Sequence, residues 1–190
     1  MERMPDKRYY MACLDLEGRD CAIVGGGRVA LEKARGLLEC DAQVTVVAPQ
    51  VCDELRRLPV RLRQRPYRAS DLDGVFLVVA ATSDPDLNRR VFSDAEARRV
   101  FCNVVDVPEL CSLILPAVHR QGPIAVAVST SGASPALAQR LRDEVASLVR
   151  PEHAALARRL HSLRPWAKAR FPTYEARRDF FRSLVEEALR

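Results

Sequence analysis

The sequence predicts an α/β protein: a doubly wound parallel sheet, followed by a small α+β segment and a helical C-terminal tail. Three observations lead there. Short β-rich runs alternate with helical ones through the N-terminal half. A glycine-rich turn, Gly25-Gly26-Gly27-Arg28-Val29-Ala30, joins the first β run to the first helix. Beyond Asp106 the texture changes to two short β runs around Gly122-Pro123, then to helices punctuated by Pro151, Pro165 and Pro172.

At 190 residues the chain holds one compact domain with an appendage and leaves no room for two enzymatic domains. An apolar share of 48% with 29% charged residues can bury a core, which excludes disorder and collagen-like structure. No run is long and apolar enough for a membrane span, and the start, Met1 to Tyr10, is charged rather than secretory, so a cytoplasmic protein is expected. The net charge is +5, and its excess lies entirely in residues 150–190, where 10 basic residues face 5 acidic ones. Only Lys7, Lys33 and Lys168 are lysines; the other basic residues are arginines, whose planar fork suits carboxylate or phosphate. The basic tail is either a solvated helix face or a contact for nucleic acid, a membrane surface or a polyanionic small molecule. The six cysteines form no CxxC pair and no zinc-like spacing with histidine, so buried free thiols are expected and no metal site.

In order, Cys21–Val24 reads as a strand, Val29 to about Cys40 as a helix, and Gln43–Val47 as a second strand, one βαβ unit. Val60–Leu62 is a third strand and Val75–Ala80 a fourth, with the unbroken apolar run of a sheet interior. Pro85 behind Ser83 or Asp84 starts a helix through Arg99, and Phe101–Val105 is a fifth strand. Ser112–Leu115 and Ile124–Val128 read as two more. Ser134 then caps a helix with Pro135 at its first position and Leu137, Leu141, Val145 and Leu148 on one face. Two amphipathic helices follow, around Glu152–Leu163 and Tyr174–Leu189. The chain divides at 1–112, 113–150 and 151–190.

A strand, then G-x-G-x-x-A, then a helix is the dinucleotide-binding arrangement of the Rossmann fold. Gly25 permits the tight turn, Gly27 lets backbone approach a pyrophosphate, and Ala30 lets helix and strand pack closely. The acidic residue that usually holds the ribose hydroxyls after the second strand is replaced by Val47-Ala48-Pro49-Gln50, and no arginine stands there for a 2′-phosphate. NAD and NADP are therefore both open on these residues, with Gln50 or the backbone of Ala48 to Gln50 binding the ribose.

Ligands of open α/β sheets bind beyond the carboxyl ends of the strands, which directs attention to Ala81-Thr82-Ser83 and to Asn103-Val104-Val105-Asp106. Asp106 is the ionisable group there. A carboxylate beside a nicotinamide can take the proton from a substrate that loses hydride. The alternative is an Asp that merely begins a turn before Pro108. The hydroxyl-rich loop Ser129 to Ser134 either offers N–H and hydroxyl groups to a substrate carboxylate or simply caps its helix.

Val24 to Ala30 with Lys33, Ala80-Ala81-Thr82, Phe101 to Asp106, Leu115-Pro116-Ala117, and Val126 to Ser129 through Ser134-Pro135 together resemble the siroheme synthase N-terminal family, in order over about residues 9–150. Members are precorrin-2 dehydrogenases, some of them also sirohydrochlorin ferrochelatases. The resemblance implies a Rossmann domain, a central dimerisation segment and a helical tail, hence a homodimer that oxidises precorrin-2 to sirohydrochlorin with NAD. It assigns cofactor contacts to Gly25, Gly26, Gly27, Arg28, Val29, Pro49 and Gln50, with Thr82 near the nicotinamide. Asp106 becomes the catalytic carboxylate, and Asn103, Ser129 and Ser131 become substrate-binding residues. Fe²⁺ enters as a substrate in members that chelate. Some relatives carry a phosphorylatable serine where Thr130 stands here.

Two other functions fit parts of the sequence. A regulatory module that senses NAD(H) without chemistry would need the glycine turn but not Asp106. A nucleic-acid arm would use the basic tail and weaken steeply with salt. Against the arm, Trp166, Phe171, Tyr174, Phe180 and Phe181 are placed to seal helix packing, so neither nucleic acid nor membrane is an expected partner.

Overall fold

The computed structural model describes residues 9–190, so the expectation drawn from the charged start falls largely outside the described residues. The chain forms two compact units, one ending at Leu115 and the other comprising Pro116–Arg190.

The first unit is the expected doubly wound sheet. Its strands are β1 (Asp20–Val24), β2 (Gln43–Val47), β3 (Arg61–Arg63), β4 (Leu77–Ala80) and β5 (Phe101–Val104), all parallel, in the order β3-β2-β1-β4-β5. Helix α1 (Arg28–Leu38) joins β1 to β2, the single turn α2 (Asp53–Arg56) follows β2, and α3 (Pro85–Arg98) joins β4 to β5. Because side chains alternate along a strand, the two sheet faces bury different residues. Cys21, Ile23, Val44, Val46 and Val79 pack with Ala30, Ala34 and Leu37 of α1. Ala22, Val24, Val78, Ala80 and Val104 pack with Val91 and Ala95 of α3. A fully buried side chain such as Ile23 contributes roughly 2–3 kcal/mol by leaving water. Helix α3 starts as expected: the Asp84 carboxylate accepts from the N–H groups of Asp86 and Leu87, and Pro85 occupies the first helical position.

The strand expected at Ser112–Leu115 does not form. Side chains take the place of a ladder there. The outward N–H of Cys102 donates to Ser112 Oγ at 2.9 Å, and that of Val104 to Cys111 Sγ at 3.2 Å. The Cys102 carbonyl accepts from the N–H groups of Ser112 and Leu113, and Asn103 Nδ2 donates to the Leu113 carbonyl at 3.0 Å. The stretch thus lies along the open edge of β5, pinned by a hydroxyl and a thiol. The residues before the Gly-Pro turn form the strand instead.

That strand opens the second unit, in which β6 (Ala117–Gln121) pairs antiparallel with β7 (Ile124–Val128). Their two-residue connection has Gly122 at φ +58 in its first position and Pro123, with φ fixed negative, in its second, the requirement of a type II′ turn. Helix α4 (Pro135–Ala146) packs on this hairpin, followed by α5 (Pro151–Arg170) and α6 (Tyr174–Ala188). Pro165 does not break the helix as expected but lies inside α5. A proline interior to a helix costs about 3 kcal/mol. Buried Ala167 and the packing of Trp166 against Phe171 and Phe180, with ring centroids 6.0 and 5.5 Å away, offset that cost. Among the described residues, no helix is long and apolar enough to cross a membrane.

Candidate functional site

The strand order reverses direction between β1 and β4, and a cleft of about 730 Å³ opens over their carboxyl ends. It is lined by Val24 to Val29 of the β1–α1 turn and by Val47 to Gln50 after β2. Pro66 and Tyr67 after β3, Ala81 to Ser83 after β4, Leu87 and Arg90 of α3, and Val105 and Asp106 after β5 complete it.

The glycine turn is shaped by what surrounds it. Gly25 has φ +129, and a Cβ there would lie 2.3 Å from the Ala81 carbonyl oxygen, so the turn is glycine-bound on two counts. Gly26 is held closer still: a Cβ would lie 1.9 Å from the Gln50 carbonyl oxygen, and the Gly26 carbonyl accepts from Cys52 N–H at 2.8 Å. Gly27 meets nothing within 4 Å and faces open space. It is also the N-cap of α1, with no capping side chain and no acidic residue in the first turn. The free N–H groups of that turn and the positive end of the helix dipole therefore remain for an anion. The residues present fit a dinucleotide pyrophosphate: an open backbone cradle, an uncapped helix end, and exposed Val29 beside it.

Asp106, at the end of β5, is exposed and left-handed at φ +61. Asp tolerates this conformation better than most residues, and single strained positions of this kind cluster at functional sites. Among the described residues it has neither hydrogen bond nor ion pair. Thr82 lines the cleft, but its Oγ1 is committed to Asn88 Oδ1 at 2.8 Å and to the Asp84 backbone. Its role toward a ligand thus falls to methyl and backbone. Asn103 is buried beneath the sheet end and does not line the cleft, its amide being held by Leu113. Ser129 and Ser131 belong to the second unit, in the loop before α4. Ser129 Oγ accepts from Ser131 N–H, Ser131 has φ +54, Thr130 Oγ1 bonds the Ser134 backbone, and Ser134 Oγ caps Leu137 N–H. Capping by Ser134 is therefore real.

Sequence reasoning missed the far wall of the cleft. Tyr67 is buried, its hydroxyl donates to Asp94 Oδ2 at 3.1 Å, and burial followed by that carboxylate pushes its ionisation above the usual range. The Arg90 guanidinium lies 5.7 Å over the Tyr67 ring. The signal was available: Pro66 and Tyr67 stand beyond the carboxyl end of a strand, where ligands of such sheets bind. Nearby, Asp71 is buried and gathers Arg63 at 2.7 Å, Arg65 at 2.6 Å and the Arg68 N–H at 2.9 Å. Burial alone would raise its carboxyl, but these donors hold it well below the usual carboxylate range. No group of three or more His, Cys, Asp or Glu able to hold a metal ion occurs among the described residues.

Comparison with known proteins agrees with this geometry. A family described as putative NAD(P)-binding matches residues 12–117, and one described as sirohaem biosynthesis protein central matches residues 121–148. Siroheme synthase of Thioalkalivibrio sulfidiphilus is 42% identical over 182 residues, covering 94% of this chain and 37% of the relative. Siroheme synthase of Chromobacterium violaceum is 43% identical over 185 residues, covering 95% of this chain and 39% of the relative. The chain therefore spans less than half the length of these curated relatives. Among solved structures, SirC, a precorrin-2 dehydrogenase, superposes with a TM-score of 0.75 at 26% identity, over 93% of this chain and 89% of that one. With the NAD(P)-binding family matched over more than half of its length and the sirohaem central segment next in order, this chain belongs to the siroheme synthase N-terminal family.

Proposed function

We propose that this chain dehydrogenates precorrin-2 to sirohydrochlorin with NAD⁺. The observation that carries the reading is that one cleft contains both the uncapped N-terminus of α1, behind the glycine turn, and the unpartnered carboxylate of Asp106. The likeness to a precorrin-2 dehydrogenase over nearly the whole of both chains supports it.

In this reading Gly27 and the first N–H groups of α1, with Arg28 and Val29, hold the pyrophosphate, and Pro49 and Gln50 flank the ribose. Bound NAD⁺ supplies the hydride acceptor. A carbon–hydrogen bond of the macrocycle breaks with its electron pair, a second hydrogen leaves as a proton to the Asp106 carboxylate, and a conjugated double bond forms. Asn103 acts as a positioning residue that fixes the strand end carrying Asp106. Ser129 and Ser131 serve as donors to a carboxylate of this polyacidic substrate. Residues 113–150 form the homodimer segment: Leu137 and Leu141 of α4, one turn apart, and Leu148 just beyond its end are 51%, 38% and 69% exposed in the single chain. The cytoplasm is the proposed compartment.

The name of the curated relatives, siroheme synthase, supports a second step in which Fe²⁺ is a substrate and Asp106 takes the pyrrole protons. Mixing the protein with NAD⁺ and enzymatically made precorrin-2 tests the first step: NADH should appear in parallel with sirohydrochlorin. Nucleotide binding without NADH formation would favour the sensing module instead. Adding Fe²⁺ to sirohydrochlorin with and without protein tests the second step.

A further inference from the structure

We propose that Arg90, braced over Tyr67, is a 2′-phosphate subsite at the adenosine end of the cleft, so that NADP⁺ is bound comparably to NAD⁺. This rests on the dinucleotide reading above and extends it to a specificity that the β2 sequence leaves open.

Discrimination against a 2′-phosphate normally comes from an acidic residue beyond the second strand, which bonds the ribose hydroxyls and repels a phosphate. Here Val47 to Gln50 carry no acid. The acidic residue that does line the cleft is Asp106, and it follows β5, at the opposite edge of the sheet from β2 and β3. What the β2–β3 end has instead is a cation. Arg90 lines the cleft from α3, and its guanidinium lies 5.7 Å over the ring of Tyr67, which follows β3. A cation–π contact of this kind leaves the guanidinium N–H donors unconsumed.

Those donors are unspent. The facing acidic group, Asp94, lies 3.9 Å from Arg90 Nε, and its near oxygen already accepts the Tyr67 hydroxyl at 3.1 Å. Among the described residues the Arg90 guanidinium makes no hydrogen bond, and its side chain is 59% exposed. Of the arginines that follow β2 and β3, Arg63 and Arg65 are occupied by Asp71, and Arg56 by the Val51 carbonyl and Gln64. Arg90 thus lines the same cleft as Ala48 to Gln50 with its charge-assisted bonds still to make.

The test is calorimetric titration of the whole chain with NAD⁺ and with NADP⁺, for the wild type, Arg90→Met and Arg90→Lys. Methionine keeps an apolar stem over Tyr67 and removes the charge, so lost packing is separated from lost phosphate contact. The wild-type Kd values should agree within about tenfold, and Arg90→Met should raise the NADP⁺/NAD⁺ ratio of Kd values by roughly 10-fold or more, with Arg90→Lys between them. An unchanged ratio in Arg90→Met, or wild-type binding of NAD⁺ more than about 100-fold tighter than NADP⁺, overturns the subsite while leaving the dinucleotide reading intact. If neither nucleotide binds the wild type, both fall together.

Discussion

Substituting alanine separately for Gly26 and Gly27 should separate folding from ligand binding at neighbouring positions. At Gly26 the added methyl would lie 1.9 Å from the Gln50 carbonyl oxygen and 2.9 Å from its carbon, where ordinary contact begins near 3.4 Å. The gap must widen by about 1.5 Å against backbone, and the bond from Cys52 N–H to the Gly26 carbonyl opens with it. Val51 and Leu55, both buried, are carried by the segment that must move. Overpacking of this kind costs about 1–3 kcal/mol and the lost hydrogen bond about 1, so Gly26→Ala should lose roughly 2–4 kcal/mol, or about 10 °C in Tm. Gly27 has φ −91 and open space around it, so Gly27→Ala should fold as the wild type does. Its methyl group stands where the pyrophosphate approaches, and the Kd for NAD⁺ should rise about tenfold or more. Thermal denaturation with and without NAD⁺ reads both effects, since saturating ligand near 100 times Kd stabilises by about 2.7 kcal/mol. A Gly26→Ala protein that melts with the wild type, or a Gly27→Ala protein that is unstable yet binds NAD⁺ normally, would refute the reasoning.

Asp106→Ala should leave the NAD⁺ dissociation constant near the wild-type value and depress precorrin-2 turnover by about 10²-fold; retained turnover removes its proton-accepting role. Asp71→Asn should lower the Tm by a few degrees at neutral pH, because the buried carboxylate that Arg63, Arg65 and the Arg68 N–H share loses its charge. Because the folded carboxyl lies below its unfolded value of about 3.9, its stabilisation is present above that pH and fades as acid is added, so the Tm gap between variant and wild type should narrow below about pH 4. Leu137→Glu with Leu141→Glu should shift sedimentation from dimer toward monomer without changing the far-ultraviolet circular dichroism. Under native conditions maleimide should label exposed Cys13 and spare Cys21 and Cys102, whose thiols burial pushes up to about 11 and about 12; labelling of all three would contradict the packing.

How much of this was legible in the sequence depended on the range of the interactions concerned. The strand Gln43–Val47, the capped start of α3 and the glycine turn announce themselves within a few residues, because local geometry and burial period dictate them. Ser112–Leu115 misled because its apolar pattern suits a strand, while its true partners are the edge N–H groups of β5, met through the side chains of Cys111 and Ser112. Pro165 misled for a related reason: local propensity ends a helix there, but aromatic packing with residues farther along the chain continues it. Within the cleft, the glycines and Asp106 sit at positions a strand–turn–helix reading exposes. Tyr67 and Arg90 meet only because β3 and α3 lead to the same end of the sheet, which no spacing in the chain encodes.

The hydroxyl and thiol laid against β5 have a bearing on solubility as well as shape. A parallel sheet ends in a row of donors that would welcome a strand from a neighbouring molecule, and here two small side chains answer that row from within. At the other rim, Arg61 and Arg63 flank the short β3 with charge. Stripping Ser112 and Cys111 to alanine would therefore endanger the protein first through polymerisation between copies, at temperatures where each copy is still folded.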